Sequence, residues 1–152
     1  MNLRNFEDFL KDGIVKRQRI DLSRAESLEK ESEKRKAFLR EMAEKISISD
    51  ANANYFVEAA YDIIMELLRA ILYTDGFKAA GLSAHEAEIS YMRNLGISES
   101  KMRTANELRY FRNGIVYYGK SVNEEYAKKV LDFLEKIYTE LKSHLRKKKV
   151  VK

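Results

Sequence analysis

Arg109, Arg112, Asn113 and Tyr117 put hydrogen-bonding chemistry into one short stretch of this chain. On a helix with a 100° step they cover an arc of about 140°, with Val116 among them. A guanidinium offers a rigid fork of donors that matches a phosphate or a carboxylate. A phenol ionises near pH 10, so only about one in a thousand is charged at neutral pH and it serves poorly as a base. It can still donate a hydrogen bond, act as a weak acid or stack on a base. The plain alternative is a polar cap joining helices, with the arginine held by a carboxylate. Candidate carboxylates are Glu58 and Asp62, which share a row with Glu66 and Arg69. Either one faces Arg109 or Arg112, or the row is a solvent strip with its own Glu66–Arg69 pair.

The same stretch carries an apolar pattern. Leu108, Phe111, Ile115 and Tyr118 fall within about 80° on the wheel and predict a core stripe. Gly114 sits among them at a cost of about 1 kcal/mol against alanine, which points to close approach by another element.

The run Arg112-Asn113 with Tyr117 resembles the signature of the HEPN superfamily, small all-helical proteins. Their pattern is an Arg, often followed by Asn or Asp, then a His after about four to six residues, sometimes with a Glu five positions before the Arg. Glu107, Arg112 and Asn113 fit that spacing, and Tyr117 stands at the His position. On a helix Glu107 lies roughly 140° round from Arg112, too far to pair with it directly.

The resemblance implies a polar cleft that binds RNA or a nucleotide through Arg109, Arg112, Asn113 and Tyr117, with Asp62 and Glu58 beside them. It also implies a homodimer. Family ribonucleases cleave RNA without a metal, the His moving the proton and the Arg stabilising the phosphate. If this chain cleaves, Arg112, Asn113 and Tyr117 would be the catalytic residues. In that alternative it is the endoribonuclease toxin of a pair with a minimal nucleotidyltransferase. A further alternative is a non-catalytic protein-interaction module. A tyrosine two places after the family His can be a target of nucleotide transfer; that place is Gly119 here.

Neither histidine substitutes obviously for the missing one. His85 is expected in the first turn of a short helix, where the dipole disfavours imidazolium. His144 stands among basic residues and is expected to be solvated. Two distant histidines and no cysteine leave no metal-ligand spacing, thiolate or disulfide, so no metal and no cofactor is expected.

These side chains need a frame, and the chain is built for helices. It lacks proline, and 45% hydrophobic residues over 152 positions suffice for one core. We expect a single domain, 1–152, with residues 1–20 as an N-terminal extension and 147–152 as a basic tail. A short helix near Phe6 to Leu10 should stop at Asp12-Gly13, and Ile14 to Ile20 reads as strand or loop. A long helix starts at Asp21, charged all round from Glu29 to Lys36, and should meet solvent or a partner there. The next runs from Ala51 to Ala80, capped by Ser49 or Asp50 and closed by Gly81. Ser83 to Glu86 resembles a capping box for a short helix to about Leu95. Ser98 opens the helix of the Arg112 stretch and Gly119 closes it. The last helix, of about 24 residues, starts at Asn123.

Four long helices with short connections predict an all-α, antiparallel, up-and-down four-helix bundle with one short extra helix. The net charge of +5 gives a weak preference for polyanions. No apolar run approaches the ~18 residues of a membrane span, and no signal-peptide core opens the chain, so a cytoplasmic protein with no membrane partner is expected.

Overall fold

Apolar residues occupy all but one strip of the stretch 53–75, and a helix so patterned must be covered on several sides. The computed structural model describes residues 2–151. In chain order it consists of α1 (Phe6–Lys11), β1 (Val15–Arg17), α2 (Leu22–Lys45), α3 (Ala53–Asp75), β2 (Phe77–Ala79), α4 (Ala84–Asn94), α5 (Glu99–Tyr118) and α6 (Glu124–Val151). The result is an all-α helical bundle with a small two-stranded sheet. Its hub is α3, which packs most extensively against α2 and α6 and also carries α4 and α5. Ile64, Leu67, Leu68 and Ile71 are fully buried there. From α6, Val130, Leu134, Ile137, Leu141 and Leu145 supply one continuous row to the core.

Local signals set several helix ends. Asp21 accepts a hydrogen bond from the Arg24 N–H, Ser98 from Lys101 and Asn123 from Tyr126. Each satisfies one of the free amides of a first turn. Two expected caps are absent. Ser83 makes no side-chain cap, so the capping box does not form. Asn52, rather than Ser49 or Asp50, precedes α3, while Asp50 accepts from the Glu124 N–H at the start of α6.

The second long helix, α3, ends earlier than expected. Gly76, not Gly81, takes the left-handed conformation that stops it (φ +81°), and the chain turns into β2. Strand β2 pairs antiparallel with β1, matching Val15 to Ala79 and Arg17 to Phe77. The cause is tertiary. Gln18 N–H donates to the Gly76 carbonyl at 2.8 Å, and a Cβ built on Gly76 would lie 2.9 Å from the Gln18 carbonyl oxygen. Gly76→Ala therefore meets both a strained φ and a backbone clash. It should cost about 2 kcal/mol, seen as a lower urea midpoint by circular dichroism.

The described part of the N-terminal extension, residues 2–20, packs on the bundle. Phe6 and Phe9 of α1 and Val15 of β1 are buried in the common core, and the Phe6 ring lies 4.5 Å from that of Tyr91. The charged stretch of α2 likewise has its partner within the chain. Lys142 of α6 contacts Glu29 at 2.6 Å and also pairs with Glu33, and Glu135 receives both Lys36 and Arg40. The basic block continues α6 as helix instead of hanging as a tail: Lys149 reaches Glu29 at 2.9 Å and Lys148 reaches Asp75 at 2.8 Å. Part of the positive charge is thus neutralised internally. No helix among the described residues is long and apolar enough to cross a membrane.

Candidate functional site

Helix α5 is rotated from the orientation its apolar pattern predicts. Leu108 is buried, but Phe111 and Tyr118 are exposed, the latter at 75%. Arg109 and Arg112 instead turn inward, and the Arg112 side chain is only 18% exposed. The reason lies in what α3 and α4 offer. Between them stands a polar cluster whose carboxylates, amide and aromatic face suit guanidinium groups better than further apolar surface.

Arg69 of α3 is the most fully satisfied. Its Nε and Nη2 donate to the two oxygens of Glu88, on α4, at 2.8 and 3.1 Å. This replaces the expected Glu66–Arg69 pair; Glu66 lies 2.9 Å from Arg35 of α2 instead. Burial pushes the Glu88 carboxyl up, with the Arg69 fork working against it. Arg109 donates from Nε to Asn106 Oδ1 at 2.9 Å, and its Nη1 stands 3.6 Å from Glu86. Glu86 has therefore left the capping-box role for a place beside Arg109.

Arg112 is the least satisfied of the three. Its Nη1 donates to Asn113 Oδ1 at 3.3 Å, and its Nη2 is 4.0 Å from Asp62. Its Nε is buried without a hydrogen-bond partner among the described residues. The guanidinium lies between two rings, its Cζ 5.3 Å from the centroid of Tyr61 and 6.0 Å from that of Tyr117. Tyr117 is 67% exposed at the outer edge. Glu58, one turn before Asp62, is half-buried and forms no ion pair among the described residues. Thus Arg112, Asn113, Tyr117 and Asp62 come together, Arg109 sits one turn away on α5, and Glu58 stands apart from the arginines' ion pairs.

Sequence reasoning gave no role to Tyr61 and little to His85, yet both lie inside the cluster. The buried Tyr61 hydroxyl is 2.9 Å from His85 Nδ1. Burial pushes the Tyr61 phenol up. Burial, then the charges of Arg69, Arg112 and Arg109, bring His85 down to about 4. The available signal was His85 with Glu88, three apart and therefore on one face of α4. His144, expected in solvent, is half-buried, and burial lowers it too.

The His85 shift has a sign that can be tested. At pH 7 the imidazole is neutral in both folded and unfolded chains. As pH falls through about 6.5, only the unfolded chain takes up the proton, so stability declines until about pH 4. Allowing for solvent around a half-buried group, the loss should be on the order of 2 kcal/mol. Urea midpoints at pH 7 and pH 4.5 check this: the drop should shrink in His85→Gln.

Gly114 has no second helix against it. The stem of Lys120, folded back after the Gly119 turn, covers it with Cδ 3.4 Å from a built Cβ. The close approach expected at Gly114 is thus made by the Lys120 side chain.

Neither a family model nor a curated protein matches this chain.

Proposed function

We propose that this chain is a HEPN-like helical protein that binds RNA or a nucleotide through Arg112, Asn113 and Tyr117. One observation carries the proposal: the Arg112 guanidinium lies near the rings of Tyr61 and Tyr117, and its Nε has no hydrogen-bond partner among the described residues. A phosphate oxygen offers what the cluster lacks, a strong acceptor at a preorganised fork. It replaces the distant Asp62 contact, and Tyr117 supplies a hydroxyl or an aromatic face at the rim. Arg69 and Arg109, each already engaged, serve as the frame that keeps Arg112 in place. Equilibrium titration of labelled RNA with wild-type and Arg112→Ala protein tests the proposal.

A second reading, metal-independent RNA cleavage as a toxin, draws on the neutral imidazole of His85 in the same cluster. It requires RNA cleavage in EDTA that disappears in Arg112→Ala. The HEPN resemblance adds a homodimer and a minimal nucleotidyltransferase as partners. Sedimentation at micromolar concentration addresses the first: a species of about twice the 17.8 kDa chain supports it, and monomer alone ends it.

A further inference from the structure

We infer that the outward face of α5 is a stacking shelf for the bases of a single-stranded nucleic acid, continuous with the proposed phosphate site at Arg112 and resting on that proposal. The rotation that turns the arginines inward turns Tyr110, Tyr117 and Tyr118 outward and leaves them exposed, while Phe111 beside them rests its ring 4.8 Å from that of Tyr126 on α6. Tyr110 and Tyr118 are two turns apart, about 12 Å along the axis. The Tyr110 and Phe111 rings meet edge to face, centroids 5.8 Å apart and planes at 80°.

These two rings wall two open clefts. One, of about 490 Å³, also touches Arg103 and Glu107; the other, of about 460 Å³, reaches Asn113, Tyr118 and Lys120. Both volumes lie in the range of small-molecule sites, roughly 300–1,000 Å³. The charges are arranged for an anionic strand. Arg103 stands at one end and Lys120 at the other, and neither has an ion-pair partner among the described residues. Glu107 is the one carboxylate lining these clefts. Tyr117 joins the two regions, its ring packed near Arg112 and its outer side free.

Aromatic faces interleaved with cations are the chemistry of single-strand binding, because an unpaired base can lie flat on a ring. A duplex keeps its bases stacked on each other and shows the shelf only backbone. A second copy of this chain is the rival occupant. Three of the four rings carry hydroxyls, and a symmetric contact would have to cover unpaired Arg103 and Lys120, whereas a polyanion satisfies them.

The test is fluorescence anisotropy with a fluorescein-labelled ten-nucleotide oligoadenylate and a ten-base-pair RNA duplex. It uses wild type, Tyr110→Ser/Tyr118→Ser and Arg112→Ala, with sedimentation of each. The expected result is at least tenfold preference for the single strand and about a tenfold or greater loss of that preference in the double tyrosine variant. Both tyrosines are exposed, so the fold is retained. Equal binding of the two RNAs, dependent on Arg112 but indifferent to the tyrosines, overturns the shelf and leaves the phosphate site standing. No binding of either RNA by wild type overturns both. A wild-type dimer that the tyrosine variant converts to monomer, with RNA affinity unchanged, assigns the face to a second copy and overturns the shelf.

Discussion

Glu88→Ala lowers the stability of the fold by about 3 kcal/mol, measured as a shift in urea midpoint at unchanged slope. Glu88 is 2% exposed, and both of its oxygens are engaged by Arg69. Truncation removes the counter-charge but leaves the guanidinium on α3, close to Arg109 and Arg112. The Arg69 side chain left behind is about two-thirds buried, and its uncompensated charge is costly because water reaches it only in part. Arg69→Met/Glu88→Leu should recover most of the loss, since exchanging both members for apolar groups removes the desolvation penalty as well. A loss under about 1 kcal/mol for Glu88→Ala would mean that water already screens the pair.

On the proposed reading, Arg112→Ala should weaken RNA or nucleotide binding by about tenfold to a hundredfold at fixed salt. That range follows from ~1.5–3 kcal/mol for a charge-assisted, fork-shaped contact. Losing one phosphate contact should also flatten the dependence of log affinity on log salt by about 0.7. Arg112→Lys separates charge from geometry. It retains the salt dependence but recovers only part of the affinity, because an ammonium lacks the planar fork that sits between Tyr61 and Tyr117. Circular dichroism of each variant checks that the helices persist. Unaltered affinity and salt slope in Arg112→Ala would remove this arginine from the binding site.

The candidate site is partly legible in the sequence. Asp62 was named as a possible partner of Arg112, and the two stand 4.0 Å apart. The surrounding cluster was not legible. Nothing local distinguishes Tyr61 from a core aromatic, and His85 in a first turn reads as an exposed residue. Their contact joins positions 24 residues apart on different helices. Similarly, Glu66 and Arg69 have the spacing of a helical pair, yet each finds a better-placed partner on a neighbouring element. Exposed i,i+3 pairs contribute only a few tenths of a kcal/mol and give way easily to such competition.

By itself, the sequence determined the all-helical class, the number of long helices and many of their ends, because periodicity and capping act within a few residues. Only the tertiary structure decided how far α5 is turned about its axis. Phe111 and Tyr118 are as apolar as many core residues, but their burial depends on a neighbour being there, and beyond Leu108 the available neighbours present carboxylates and a tyrosine face to arginine instead. The same holds for Gly76, whose helix-ending turn is fixed by the backbone of Gln18, just after β1 and nearly sixty residues earlier.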